Sequence, residues 1–295
     1  MIVSCSRRTD IPGLYAPWLM GRLEAGFVLT PQPFNPRKIT QINLDPQKVT
    51  CLVFWTKNPK PLLPFLPRID ALGYQYFFEF TLTPYGLDLE PNLPAKEELI
   101  DVFIELSQRL GPLKMDWRYD PIIIDAKRPL SYHLDNLGRL GEKLAPYASR
   151  LIISFVDEYK RAKVFQSPKL EEMVELAAGL GAIANSLNLP AQTCAEAIDL
   201  SPYGITKGAC LEREKIAAII GGEINLKKDP GQRKACLCAE SVDLGVYNTC
   251  SHLCAYCYAT KSPKTAAQNA AAHNPKWPSL TGKTPLGGEI TRVIG

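Results

Sequence analysis

Short apolar runs alternate along this chain with stretches of helical period, and nothing else in the sequence limits the fold so strongly. The runs at 2–5, 27–30, 51–56, 76–82, 115–120, 151–156, 191–194 and 242–247 read as strands. Several are continuously apolar and rich in β-branched or aromatic residues, as strands covered on both faces are. The segments between them carry helix signals. One helix begins at Pro94, sets Leu99, Phe103, Leu106 and Leu110 on one face and stops at Gly111. A second covers 131–145, with Leu134, Leu137, Leu140 and Leu144 inward. A third has Ser167 as N-cap and Pro168 in its first turn, and directs Leu170, Met173, Val174, Ala177, Leu180 and Leu187 inward. Segments 13–25 and 60–72 are weaker helices. Eight strands alternating with helices predict an α/β chain of the (βα) TIM-like barrel type. An open doubly wound sheet is the competing arrangement, but no Gly-rich dinucleotide fingerprint favours it.

A length of 295 residues is ordinary for one α/β barrel, and a 46% hydrophobic content builds its core without disulfide staples. The main part of the barrel is expected over 1–200. Residues 201–240 depart from the alternation and read as a cysteine-containing insertion or lid. Residues 241–295 carry the last barrel strand, a cysteine loop and a tail. The stretch 31–50 reads as an excursion, with ITQINL a short extra strand. Prolines cluster at bends such as PQPFNP, NPKPLLP and EPNLP, which are fixed turns rather than disordered linkers.

The net charge is +4 and the densest basic spots are Arg7-Arg8 and Lys227-Lys228, so no clear nucleic-acid surface is expected. No run approaches the roughly 18 uninterrupted apolar residues of a membrane span, and the opening MIVSCSRRTD lacks the apolar core of a signal peptide. The expected location is cytoplasmic. In that reducing setting nine cysteines point to metal or redox roles rather than disulfides.

In a barrel, function collects after the C-terminal ends of the strands. Here those ends carry Cys5-Ser6-Arg7-Arg8-Thr9-Asp10, Trp55-Thr56-Lys57-Asn58, Arg118-Tyr119-Asp120 and Cys194-Ala195-Glu196. Asp10 and Asp157 also suit helix N-caps. Arg7, Lys57 and Arg118 suit either a carboxylate or phosphate ligand or a structural ion pair, Asp120 being a partner for Arg118. With Asp120 and Glu196 they are the candidate cofactor-binding residues. Nothing in the sequence assigns a catalytic residue.

The most specific motif is TCSHLCAYCYA, in which Cys250, Cys254 and Cys257 form CxxxCxxC. Three thiolates at that spacing can converge on one inorganic centre. They are one fewer than the four usually given to an iron–sulfur cluster, so one iron would stay open to a small cofactor. A structural zinc is the alternative, with His252 as an awkwardly placed fourth ligand.

This loop resembles the cluster loop of radical S-adenosylmethionine (radical SAM) enzymes, with Tyr256 as the aromatic before the third cysteine. It is most like that of the spore-photoproduct-lyase-like group, which shares the His after the first cysteine and Tyr-Ala after the third. Over its whole length the chain resembles an uncharacterised bacterial family that opens with SCSRRTDIP, continues through VFWTKNP, FTLTPYG, WRYDP and ISFVD, and ends with this loop. The resemblance implies a 4Fe–4S cluster, S-adenosylmethionine chelated at the open iron, and reductive cleavage to a radical that takes hydrogen from substrate. It also implies an electron donor such as a ferredoxin or flavodoxin. The substrate, small or macromolecular, stays unknown. In ordinary radical SAM enzymes this loop follows the first strand; here it follows the last, so a circular permutation is expected. The strings Gly221-Gly222-Glu223 and Gly287-Gly288-Glu289 match the Gly-Gly-Glu element that holds the methionine moiety, but read better as coincidental turns.

Cys51 and Cys5 read as buried thiols. Cys236 and Cys238, with Cys194 and Cys210, form a four-thiolate set suited to a second iron–sulfur cluster or a zinc. Three readings result: a radical-SAM-like enzyme, a non-catalytic iron–sulfur protein for electron transfer or sensing, and a zinc-stabilised barrel hydrolase or binding protein.

Overall fold

The computed structural model of the protein describes residues 1–33, 35–158, 165–282 and 290–294. In chain order its strands and helices are β1 (Ile2–Ser4), α1 (Ile11–Leu14), α2 (Ala16–Ala25), β2 (Phe27–Gln32), β3 (Asn35–Asn43), β4 (Cys51–Thr56), α3 (Leu66–Ala71), β5 (Tyr76–Thr81), α4 (Lys96–Leu110), β6 (Met115–Ile122), α5 (Leu130–Leu144), β7 (Arg150–Phe155), α6 (Leu170–Ser186), β8 (Ala191–Cys194), β9 (Ile205–Gly208), α7 (Arg213–Ile220), β10 (Ser241–Asp243), α8 (Pro263–Ala272) and β11 (Ile290–Ile294). The fold is α/β, with a large eight-stranded parallel sheet in the order β10-β1-β4-β5-β6-β7-β8-β9. Its end strands are β10 and β9, and among the described residues no pairing joins the two. No described helix is long and apolar enough to cross a membrane. The chain forms two compact units, one of Met1–Phe77, Leu87–Leu93 and Ser241–Gly295, the other of Phe78–Gly86 and Pro94–Glu240.

In the first unit β1 lies between β10 and β4, parallel to both, with Val3 opposite Val242 and Leu52. The last main-sheet strand in sequence thus neighbours the first. Five of the six residues of β4 are buried, as the unbroken apolar run CLVFWT requires of a strand covered on two faces. The run at 27–30, expected in the same sheet, lies elsewhere. It belongs to β2, which pairs antiparallel with β3 in a separate sheet of order β11-β3-β2. In β2 only Val28 and Thr30 are buried, the alternation of a strand covered on one face. The extra strand read at ITQINL is the C-terminal part of β3. Segment 13–25 divides into α1 and α2, and 60–72 into a 3-10 turn, Lys60–Phe65, followed by α3.

In the second unit β5 to β9 run parallel with helices between them. Helix α4 buries Leu99, Phe103 and Leu106, and α5 buries Leu137, Leu140 and Leu144. Helix α6 starts later than Ser167. Lys169 is its N-cap and donates its amide to Glu172 at 2.8 Å, while the Ser167 hydroxyl accepts from the Glu158 amide. Of the inner stripe read from the sequence, Ala177 and Leu180 are buried, with Leu176 beside them, while Leu170 in the first turn is 60% exposed. Segment 201–240 supplies β9 and α7. The strand went unread because ITKG is four residues long and buries only Ile205. Gly221 ends α7 in the left-handed conformation, φ 69°, so the first Gly-Gly-Glu string is a helix stop. The second string lies outside the described residues.

The second unit is also crossed by a buried ion network. Asp116 takes Arg150 at 3.0 Å and Lys215 at 2.5 Å, and Arg118 takes Glu79 at 3.1 Å. Burial pushes Glu79 up to about 7, with Asp116 adding to the rise and the cations opposing it.

Candidate functional site

The cysteine loop is seated in the first unit by residues remote from it in sequence. Asp243, at the end of β10, accepts from the Ser4 and Ser6 hydroxyls at 3.0 and 2.6 Å and from the Arg7 amide at 2.9 Å. Thr9 shares a 2.6 Å hydrogen bond with Thr249, and the Tyr15 hydroxyl donates to the Thr249 carbonyl at 2.6 Å. Tyr258 donates to the Arg7 carbonyl at 3.0 Å. The opening segment after β1 therefore clamps the chain from Asp243 to Tyr258. A second clamp is Leu87–Leu93: the Leu89 carbonyl accepts from the Ala255 amide at 2.9 Å, and Asn92 donates to the Ser251 carbonyl at 2.8 Å. Glu90, 2% exposed, accepts Lys57 Nζ at 2.8 Å and the Tyr256 hydroxyl.

Asp10 joins these parts. One carboxylate oxygen caps α1 through the Gly13 amide at 2.8 Å; the other accepts the Lys57 amide at 2.7 Å and faces His252 Nε2 at 2.9 Å. Burial alone would raise its pKa, but the His252 and Lys57 hydrogen bonds prevail and hold it below the usual carboxylate range. The N-cap role expected of Asp10 is present, together with a tie to the cysteine loop. His252 is buried and spends Nε2 on Asp10, so it positions the loop.

The three loop cysteines are partly exposed, unlike Cys5 and Cys51, which are buried. Cys250 accepts from the amides of Asp10 and His252, and Cys257 from the Ala259 amide at 3.4 Å, while Tyr256, whose single hydroxyl proton goes to Glu90, stands beside Cys254. Burial pushes Cys250 and Cys254 up to about 12, Asp10 adding to the rise at Cys250 and Glu90 at Cys254, with Cys257 a smaller contribution to both. Such thiols are protonated near neutrality and poor nucleophiles, whereas a bound cation would deprotonate them. Leu253, between His252 and Cys254, sits at φ 56°, a left-handed conformation rare for a branched residue.

Arg7 and Lys57 belong to this unit. Arg7 stacks over Trp55 at 5.0 Å and donates to Ser241 at 3.2 Å. Lys57 lies 5.5 Å from the Tyr256 ring centroid as well as on Glu90. Arg118, Asp120 and Glu196 belong to the second unit. Arg118 is 4% exposed and holds Glu79, Asp120 and the Cys210 sulfur, the last at 2.8 Å, so the ion pair with Asp120 is present. Asp120 also accepts from Ser154. Glu196 accepts the Phe155 amide at 2.9 Å, and burial pushes it up to about 7. Asp157 pairs with Arg233.

The second unit also brings Cys194, Cys210, Cys236 and Cys238 together. Cys194 ends β8 opposite Gly208 of β9, and Cys210 follows two residues later. Their sulfurs are 3.1 Å apart. Cys210 hydrogen-bonds Cys238, which hydrogen-bonds Cys236. Cys238 thereby holds Cys236 down at about 7. Among the described residues no group of three or more His, Cys, Asp or Glu side chains stands arranged to hold a metal ion.

Glu90, Asn92, Asp243 and Thr249 were not singled out in the sequence. Glu90 and Asn92 sit in EPNLP, which shows only turn chemistry, and Asp243 is one acid among many.

Fold and site define an α/β protein on a large parallel sheet, with a three-cysteine loop clamped against the segment that follows the first strand. The chain belongs to the family described as "Domain of unknown function (DUF1848)", whose model matches residues 2–259 and so includes that loop. No curated protein matches the chain. Among solved structures, a "putative alpha-L-fucosidase" from Bacteroides thetaiotaomicron VPI-5482 is 11% identical, covering 77% of this chain and 84% of that one, with a TM-score of 0.33, too slight a likeness to bear on function.

Proposed function

We propose that this chain is a radical-SAM-like iron–sulfur enzyme on a circularly permuted (βα) barrel. Cys250, Cys254 and Cys257 would hold a 4Fe–4S cluster with one iron left open for S-adenosylmethionine. When bound, the cluster supplies the electron that splits this cofactor and begins hydrogen abstraction from a substrate.

The observation that carries the reading is the donor set: three thiols on one short loop, all partly exposed, with amide donors on the Cys250 and Cys257 sulfurs. Such bonds stabilise metal-bound thiolates and tune a cluster. The parallel pairing of β10 with β1 supports the permutation, because it sets the strand before the loop beside the first strand. Asp10 and His252 orient the loop, and the Lys57–Glu90–Tyr256 group packs against the Cys254–Cys257 turn. Arg7 and Lys57 follow β1 and β4 in the same unit as the loop and are the first candidates for a cofactor carboxylate.

Anaerobic reconstitution tests the proposal. Brown protein with about four irons per loop site that cleaves S-adenosylmethionine on reduction supports it. Brown protein inert toward that cofactor would be a non-catalytic iron–sulfur protein, and colourless protein carrying only zinc would be a zinc-stabilised one; both outcomes overturn the enzyme reading.

A further inference from the structure

Four of the nine cysteines have no part in the loop chemistry and yet converge in the second unit. Cys194, the last residue of β8, and Cys210, just past the end of β9, have sulfurs 3.1 Å apart, and Cys238 hydrogen-bonds both Cys210 and Cys236. Cys210 and Cys238 are buried, at 0% and 3% exposure, and Cys236 is 6% exposed. Four thiols collected this way without a disulfide need a reason, since hydrophobic packing asks for none of them.

The backbone holds the two halves together. The Ala239 amide bonds the Leu211 carbonyl at 3.0 Å, and the Asp229 amide bonds the Cys238 carbonyl at 3.0 Å. Lys228 and Ala239 form an antiparallel bridge. The loop carrying Cys236 and Cys238 is thus laid onto the chain just beyond Cys210. Outer partners are present too. Arg118 donates to the Cys210 sulfur at 2.8 Å, the Leu211 amide bonds the Cys238 sulfur, and the Cys238 amide bonds the Cys236 sulfur. Amide and guanidinium donors on sulfur are what a metal thiolate needs around it.

We infer that Cys194, Cys210, Cys236 and Cys238 form a mononuclear tetrahedral four-thiolate site for zinc. Spacing separates this from a second cluster. Zinc–sulfur bonds of about 2.3 Å in a tetrahedron place sulfurs about 3.8 Å apart. The Cys194 and Cys210 sulfurs, 3.1 Å apart, need open only slightly to reach it. A cubane would force these two much farther apart, against the parallel pairing of β8 with β9 that sets Cys194 beside the chain leading to Cys210. Binding replaces each S–H proton by a zinc–sulfur bond and changes no oxidation state. The resulting net negative charge faces Arg118.

The test uses the full chain with Cys250, Cys254 and Cys257 changed to Ala, which removes the loop site and makes the outcome independent of the enzyme reading. Under anaerobic, reducing conditions cobalt(II) should bind at about one per chain with the strong visible absorption of tetrahedral cobalt thiolate, and zinc(II) should displace it. Adding Cys236→Ser and Cys238→Ser should abolish the band. In the wild-type chain zinc should protect these four cysteines from alkylation, read by peptide mass, and chelation should expose them; this measurement stands even if the multiple variant folds poorly. Absent cobalt absorption, absorption that survives the added substitutions, or iron–sulfide uptake at this site would overturn the inference.

Discussion

Asp10 serves three partners with one buried side chain: a helix N-terminus, the chain after β4 and the cysteine loop. Replacing it with Ala should cost about 1 kcal/mol for the lost cap and about 1–3 kcal/mol more for buried donors left unpaired. Asp10→Ala should therefore lower the stability of the metal-free chain by about 2–4 kcal/mol in urea unfolding and reduce iron retained after reconstitution. A change below about 0.5 kcal/mol, the size of an ordinary surface substitution, would contradict that accounting. At this scale the sequence told half the story. Asp-Ile-Pro reads as a helix start, which it is. The His252 partner lies 242 positions away, and no local pattern carries that pairing. The cysteines were legible because their spacing is itself the signal; Glu90 and Asp243 were not, because a carboxylate becomes a clamp only once the strands are paired.

Elements set the precision of these clamps. Gly245 follows β10 so closely that a Cβ there would stand 1.9 Å from the Ser6 hydroxyl. Gly245→Ala must displace Ser6 from Asp243, and should cost about 1–3 kcal/mol as an overpacked site does. Gly222→Ala, with open space around it, is the control and should differ from wild type by far less. Thermal unfolding of the two variants decides this; equal melting temperatures would contradict the close approach. In the second unit α5 places His133, fully buried, against the Tyr119 hydroxyl at 3.0 Å and the Ile123 carbonyl at 2.9 Å. A carbonyl cannot donate, so Nε2 carries the proton and Nδ1 accepts from Tyr119. Burial, with Arg128 nearby, lowers the His133 pKa, while the Ile123 bond and Asp125 work the other way. The unfolded chain then takes up a proton below about pH 6.5 that the folded chain refuses until lower pH. Stability should hold above that value and decline below it, and His133→Gln should flatten the decline; an unchanged slope would contradict the assignment. Strands such as β4 and β7 were readable because apolar runs and buried strands coincide. Strand β9 was not, because it is short and mostly exposed, and the run at 27–30 was placed in the wrong sheet because an apolar run does not name its partner.

For the whole molecule, the pairing of β10 with β1 is what gives a cysteine loop near the end of the chain a reason to be there. The alternation of strands and helices foretold the α/β class with its large parallel sheet, while the order of the strands could not be read from it, since pairings between distant ends leave no local pattern. Two cysteine groups of different size then predict two separable metal contents. Replacing Cys236 and Cys238 with Ser should leave the loop iron in place, and replacing the loop cysteines should leave the four-thiol site in place; loss of both metals from either variant, with the fold intact by circular dichroism, would contradict their independence. The most direct test of the central proposal is electron paramagnetic resonance of the anaerobically reconstituted, reduced chain, with and without S-adenosylmethionine, alongside Cys254→Ala. The account predicts a reduced 4Fe–4S signal that shifts when the cofactor is added and is missing from the variant. A wild-type chain with no such signal, or a signal that ignores the cofactor or persists without Cys254, would contradict it.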